Sequence, residues 1–303
     1  MMTRTTKSGQ SRGLPSAPDR RALDKQTGAG RSSTAAVSAG PRSGRRSIRP
    51  SCDRKLTMAP WQGGKARLIA TLLPLFPAHG CYVEAFGGMA SCLLNKPRVE
   101  TEVYNDRDER LFSLFAVIKY HHEPFDVELR SLLKSRRLFD SYKLQPGLTE
   151  IQQAARFLYC QTLGFGGAGE HFGTGVKGGG NSTRSIESVR AMAARIHQRL
   201  QTVTIENLDW EDCLTRYDSP ETFFFLDPPY LGTTGYAVPF SERDHQVLAD
   251  RLRKIKGKFL MTNSDSRAIR DLFRGFRLRP IRSAMGRSLD HTQKLNQLAV
   301  MNY

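Results

Sequence analysis

Four consecutive apolar residues, Phe223 to Leu226, run directly into Asp227-Pro228-Pro229-Tyr230 and form the sharpest hydrophobic pattern in the chain. A short unbroken apolar run ended by a polar turn predicts a strand buried on both faces of a parallel sheet. Similar short runs predict strands at Cys81–Phe86, Glu102–Asn105, Val203–Glu206, Lys258–Thr262, Arg277–Ile281 and Leu295–Met301. Helical periodicity marks Leu68–Leu75, Met89–Asn95, Arg107–Tyr120 and Ser266–Phe273. Another helix is expected after Ser241, where Asp244 makes a capping-box-like start and Val247, Leu248, Leu252 and Ile255 form the buried stripe. This alternation predicts an α/β sheet fold. The stretch His121–Leu200 is mostly helical and interrupts the series, so it reads as an inserted lobe. The expected division is therefore a catalytic domain over 56–120 and 201–303, with the lobe at 121–200.

The candidate chemistry gathers where the strands end. In open α/β sheets the ligand crevice lies outside the carboxyl ends of the strands, so the run at 223–226 delivers Asp227 to such an edge. Pro228 and Pro229 stiffen the turn and carry no N–H. What remains is a row of acceptors, the Asp227 carboxylate and the Pro228 carbonyl, beside the ring of Tyr230. That set suits an exocyclic amine on a planar base, with its two N–H donors and a π-face for stacking. The plainer alternative is an Asp-Pro turn with Tyr230 as core filler.

Upstream, Cys81–Phe86 followed by Gly87-Gly88 reads as strand, glycine turn and helix, which brings backbone N–H groups to a ligand's polar end. Asp106 follows Gly88 by 18 residues, close to the spacing at which a βαβ unit offers an acid to ribose hydroxyls. Together these suggest an adenosine-type cofactor, while capping of the helix from Arg107 is an equal alternative for Asp106. Trp61-Gln62-Gly63-Gly64-Lys65 opens the foldable region; Lys65 could neutralise a carboxylate or phosphate, or the segment could be a simple turn. Gly164 to Gly169 matches a dinucleotide fingerprint by letter, but Ile151–Leu163 before it is helical and the fingerprint needs a strand there. With glycine at nine of the seventeen positions 164–180, plus His171 and Lys177, the segment reads as a loop able to follow a phosphate backbone, or as a plain connection.

Charge adds a partner class. The net charge is +17, and residues 1–55 hold thirteen Lys/Arg against three Asp/Glu, which leaves +7 for residues 56–303. A basic folded part favours a polyanionic partner, although a well-solvated surface gives the same balance, and Arg130, Lys134, Arg136, Arg137 and Lys177 are the candidate phosphate contacts. Residues 1–55 are rich in Ser, Arg, Gly, Thr and Pro without apolar periodicity, so a disordered tail is expected. A transit peptide, a nonspecific nucleic-acid arm or upstream sequence before a true start at Met58 would each give such a leader, and the last is preferred. Five scattered cysteines without ligand spacing argue for a reducing, cytoplasmic setting and against a structural metal. No apolar run approaches the roughly 20 residues of a membrane span.

Taken in order, Trp61–Lys65, Tyr82–Gly88, Tyr104-Asn105-Asp106, Phe165-Gly166-Gly167, Asp227–Tyr230 and Thr262-Asn263-Ser264-Asp265 make the chain resemble the D12 class of DNA adenine-N6 methyltransferases, and within it the phage-type enzymes. The resemblance covers about residues 58–303. It implies a seven-stranded methyltransferase sheet with an antiparallel last strand, a helical target-recognition lobe and S-adenosylmethionine as donor, with no metal. Carried over by position, it implies that Trp61, Lys65 and Glu84, with Phe86, Gly87 and Gly88, hold the methionine part, and that Asp106 holds the ribose. Asp227 to Tyr230 would take the flipped adenine, with Asp227 also beside the cofactor, in an enzyme expected to act as a monomer. The family usually carries Pro where Ala85 stands and Gly near Met89 and Ala90, so the cofactor loop is bulkier here. The rivals are a cytosine-N4 methyltransferase, whose amine presents the same chemistry, and a noncatalytic DNA-binding protein that keeps the fold.

Overall fold

The computed structural model describes residues 55–164, 169–173, 184–233, 235, 237–282 and 296–303. The expectations for the leader up to residue 54, for Phe165-Gly166-Gly167 and for Lys177 lie outside the described residues. The strands are β1 (Cys81–Glu84), β2 (Thr101–Asn105), β3 (Val203–Glu206), β4 (Thr222–Leu226), β5 (Lys258–Ser264), β6 (Arg277–Arg282) and β7 (Asn296–Met301). They form one seven-stranded sheet in the order β3-β2-β1-β4-β5-β7-β6. The first five positions are parallel, and β7 enters antiparallel between β5 and β6. The chain thus moves outward from β1 through β2 to β3, then returns to place β4 on the other side of β1. That reversal opens a crevice at the carboxyl ends of β1 and β4.

Ten α-helices are described around the sheet: α1 (Ile69–Leu72), α2 (Ser91–Asn95), α3 (Glu109–Tyr120), α4 (His122–Arg130), α5 (Arg136–Leu144), α6 (Glu150–Leu163), α7 (Ile186–Leu200), α8 (Trp210–Tyr217), α9 (Glu242–Leu252) and α10 (Arg267–Leu272). The apolar run in β4 explains itself in the packing. Phe223 and Phe225 face one layer, which includes α3 and the lobe helices, and Phe224 and Leu226 face the other, built on α8, α9 and α10. Because the first layer runs without a break from Tyr82 and Tyr104 to Leu158, Tyr159 and Ile196, the lobe shares its core with the sheet.

Several boundaries differ from the sequence expectation for local reasons. The apolar stretch 68–75 is a short α1 flanked by 3-10 turns, because Pro74 occupies the first turn of the second one. Strand β1 stops at Glu84, where the Asn105 amide bonds the Ala85 carbonyl and Gly87 N–H donates to the Asn105 carbonyl. Helix α3 starts at Glu109, with Asp108 accepting from Arg110 N–H as its cap. The Ser241–Asp244 capping box is present, but α9 ends at Leu252, so Ile255 lies beyond it and His245 joins Leu248, Ala249 and Leu252 on the buried stripe.

One buried ion cluster ties the sheet to the last lobe helix. Glu102 on β2 accepts from Lys96 Nζ at 2.6 Å and from the Arg199 guanidinium of α7 at 2.6 and 2.8 Å, and Arg199 also donates to the Leu93 carbonyl. Breaking such a cluster from one side leaves buried charge without compensation. Glu102→Ala, which strands two cations, is expected to lower stability by about 3–5 kcal/mol in urea unfolding. A loss under 1 kcal/mol would mean that the cluster is solvated.

Candidate active site

A cavity of about 870 Å³ opens at the crevice between β1 and β4. Its sheet side is lined by Trp61, Lys65, Glu84, Phe86–Gly88, Asp106, Asp227 and Pro229, and its far side by residues of α5 and α6. Pairing of Leu226 with Met261 places the next residues, Asp227 and Thr262, side by side. Thr262 Oγ1 donates to Asp227 Oδ1 at 2.6 Å, and Lys65 Nζ meets Oδ2 at 2.5 Å. Lys65 is buried and also donates to the Gly63 carbonyl, which folds the 61–65 segment over the strand ends. Lys65, expected from sequence to neutralise a carboxylate or phosphate, therefore sits on the Asp227 carboxylate. Tyr230 lies beside the pair, with its ring centroid 5.0 Å from Lys65 Nζ and its hydroxyl donated to Gln297.

The glycine turn is shaped from behind. A Cβ on Gly87 would stand 2.3 Å from the Tyr104 ring, and the Tyr104 hydroxyl donates to the Gly88 carbonyl at 2.8 Å. Gly88 has φ +51 and lies under the Trp61 indole, whose Nε1 would be 3.2 Å from an added Cβ. Ala90 takes a left-handed conformation, φ 52, just before α2. Asp106 is not the cap of α3: its Oδ2 accepts from Gly88 N–H at 2.7 Å and its Oδ1 from Asp108 N–H, while Asp108 caps the helix. The 18-residue spacing read in the sequence is thus a direct bond across the cradle. Burial pushes the Asp106 carboxyl up to about 6, against the two N–H groups that favour its charged form.

Glu84 is the most enclosed acid of the site. Its Oε1 accepts from the Tyr82 hydroxyl and Leu93 N–H, each at 2.7 Å, and its Oε2 is buried without a partner. Burial pushes its carboxyl up to about 7, opposed by those two hydrogen bonds and helped by the Asp227 charge.

Of the basic residues chosen from sequence, the four that are described, Arg130, Lys134, Arg136 and Arg137, do not line the cavity. Arg130 is engaged with Asp126, Arg136 stands over the Phe172 ring, and Lys134 and Arg137 are exposed. Instead Lys143 and Arg156 reach the lobe wall, and Arg110 stands over Phe157, whose ring meets Trp61 edge-on at 6.1 Å. Charge clusters in a sequence do not reveal which helix face meets a cavity, so these were missed. Among the described residues no group of three or more His, Cys, Asp or Glu could hold a metal ion, and no helix is long and apolar enough to cross a membrane.

A family profile described as D12 class N6 adenine-specific DNA methyltransferase matches residues 61–284. The chain is similar to the retron Ec67 DNA adenine methylase of Escherichia coli, 24% identical over 73% of this chain and 81% of that protein. It is also similar to the type II methyltransferase M.CviBI of Paramecium bursaria Chlorella virus NC1A, at 22% over 71% and 85%. The modification methylase StsI of Streptococcus sanguinis is 24% identical over 62% of this chain, which corresponds to 31% of its own length.

Two outcomes follow from this local physics. Ala90→Gly removes a left-handed Cβ clash and is expected to stabilise the fold by about 1 kcal/mol, read as a raised denaturation midpoint. Unchanged or lower stability would show that the Ala90 methyl's packing outweighs the strain. Glu84 takes up a proton on folding, so its contribution of about 3 kcal/mol is complete below about pH 4.5 and is lost as pH rises through about 7. Urea titrations from pH 4.5 to 7.5 should show stability declining, and Glu84→Gln should flatten that decline. Parallel curves for the two proteins would show that Glu84 is charged throughout.

Proposed function

The chain belongs to the D12 class of N6 adenine-specific DNA methyltransferases, and from that premise we propose that it methylates an adenine flipped out of double-stranded DNA, using S-adenosylmethionine and acting as a monomer. The observation that carries the reading is the Asp227 carboxylate, gripped by Lys65 and Thr262, on the wall of the cavity that also receives the glycine cradle. The cofactor's groups find matching chemistry in these residues. The unpartnered, buried Glu84 Oε2 suits the methionine ammonium, Lys65 suits its carboxylate, and Asp106 beside Gly88 suits the ribose hydroxyls. Trp61 and Phe86–Gly88 complete the cradle. Bound there, S-adenosylmethionine supplies an electrophilic methyl group on a sulfonium centre.

The remaining chemistry falls to the turn. The amino lone pair of adenine is delocalised into its ring and is a poor nucleophile. The Asp227 carboxylate and Pro228 carbonyl, acting as acceptors, favour a pyramidal nitrogen and stabilise the positive charge that develops on it. Both carboxylate oxygens of Asp227 are already fixed, so little reorganisation is needed when that charge appears. Pro229 keeps the turn rigid, and the Tyr230 ring offers a face to the base. A base stacked in a duplex cannot enter a cavity, so the target nucleotide has to leave the stack.

The lobe at 121–200 is proposed to recognise the target, with Arg130, Lys134, Arg136, Arg137 and Lys177 as phosphate contacts. Four described cysteines, all free, fit a cytoplasmic setting.

Asp227→Ala should lower methyl transfer by roughly 10²–10³-fold. It should leave the Kd for S-adenosylhomocysteine, measured by calorimetry, within severalfold. Asp106→Ala should act the other way and weaken S-adenosylhomocysteine by about 1.5–3 kcal/mol through lost charged hydrogen bonds. An equal loss of cofactor affinity in both variants would sink the division of roles.

A further inference from the structure

The Asp227–Tyr230 turn is held at its first residue by β5 and at its last by β7. Thr262 on β5 donates to Asp227, and two residues further along that strand Ser264 pairs with Gln297 on β7. Side chains two apart on one strand share a face of the sheet, as do those of directly paired residues, so Thr262 and Gln297 project to the same side. That side carries Phe225, Leu260 and Ala299 and belongs to the layer shared with the lobe. Gln297 Oε1 accepts from the Tyr230 hydroxyl at 3.0 Å, across 67 positions of the chain. The backbone of Tyr230 is fixed separately: its carbonyl accepts from Thr233 N–H at 2.9 Å and from the Thr233 hydroxyl at 2.6 Å. What those bonds leave open is the ring, which turns about its side-chain torsions, and the bond to Gln297 fixes its far end. Held there, the ring turns a face to Lys65 Nζ, 5.0 Å from its centroid, and so to the Asp227 carboxylate that Lys65 holds.

A ring that stacks on a base works best when its face is set before the base arrives, because ordering it afterwards costs side-chain entropy at the moment of binding. Phenylalanine would offer the same face; the hydroxyl of Tyr230 adds the tether. We propose that Gln297 is a positioning residue for methyl transfer: it holds the Tyr230 ring with its face toward the Asp227 carboxylate, as Thr262 holds that carboxylate for the amino group. It acts through Tyr230 and not on the substrate. This rests on the reading of the Asp227–Tyr230 turn as the site of the flipped adenine. It also gives the antiparallel insertion of β7 a consequence at the site, since that insertion sets Gln297 beside Ser264.

The test is a double-mutant cycle on the full chain: Gln297→Leu, Tyr230→Phe and the two combined, with Gln297→Glu as the variant that keeps an acceptor for the hydroxyl. Two quantities are read, kcat/KM on genomic DNA from a host lacking adenine methylation and the Kd for S-adenosylhomocysteine. Gln297→Leu and Tyr230→Phe are each expected to lower kcat/KM about 3–10-fold, the scale of one hydrogen bond between neutral groups, with the Kd unchanged. The combined variant should lose no more than either single one, because both remove the same bond. Gln297→Glu should recover most of the rate at neutral pH. Losses that multiply in the combined variant would mean that Gln297 acts on something other than Tyr230, and would overturn the proposal. So would an unchanged kcat/KM in Gln297→Leu, a loss that Gln297→Glu does not recover, or a Kd that rises in step with the loss of rate. Should Gln297→Leu fold poorly, Gln297→Met takes its place in the cycle with the same expectations. A wild-type chain that failed to methylate DNA would bring down the proposed function, and this proposal with it; an active wild type indifferent to Gln297 would sink this inference alone.

Discussion

The carboxylate of Asp227, held between Lys65 and Thr262, is the contact on which the site depends. It joins three parts of the chain at the point where the strand order reverses: the segment before the first helix, the end of β4 and the adjacent strand β5. Lys65 also bonds the Gly63 carbonyl, so the ion pair fixes the path of residues 61–65. That path lays Trp61 over Gly88, and Trp61 in turn meets Phe157 of the lobe. The lobe wall, the glycine turn and the Asp227 turn are thus linked by one chain of contacts that starts at a largely desolvated ion pair. Without the Asp227 carboxylate Lys65 keeps its bond to the Gly63 carbonyl, which holds the segment while the buried ammonium loses its counter-charge.

Much of this was legible in the sequence where a pattern had a local cause. The apolar run 223–226 has to be buried on both faces, and its alternate residues do serve the two layers. The 18-residue interval from Gly88 to Asp106 gave the right pair of residues, but not the bond between them, nor the fact that Asp108 rather than Asp106 caps α3. That the last strand runs antiparallel came from the resemblance, while its insertion between β5 and β6 was not legible, since no property of residues 296–301 states which neighbour they will find. Lys143, Arg156 and Gln161 were passed over because a side chain in the middle of a helix gains its meaning from the surface opposite it.

Two buried glutamates on neighbouring strands show how the same residue type divides between structure and chemistry. Glu102 has both oxygens paired with Lys96 and Arg199, and its negative charge is compensated within the protein. Glu84 has one oxygen satisfied by neutral donors and the other left open, so its charge has no full partner in the chain, and burial drives it toward the neutral form. In the first arrangement both carboxylate oxygens are satisfied; in the second, one oxygen is left open. Gln161 repeats the second arrangement on the opposite, lobe-derived wall of the same cavity. A stable core avoids such groups, and a ligand site tolerates them because binding supplies the missing bonds.

The glycine turn shows that a motif can be required for reasons that precede any ligand. Gly87 cannot carry a side chain because the Tyr104 ring already fills that space, and Tyr104 then bonds the Gly88 carbonyl to hold the turn open toward the cavity. The cradle is therefore moulded by the core beneath it. The bulkier residues that follow have different consequences according to where their atoms go. Ala90 is fully buried and away from the cavity lining, so its methyl is borne as left-handed backbone strain and does not narrow the site. Met89 does line the cavity, and its flexible side chain can yield to a ligand at little cost. The departure from glycine at these positions thus falls mainly on stability, and the shape of the cradle, set by Tyr104 and Trp61, is retained.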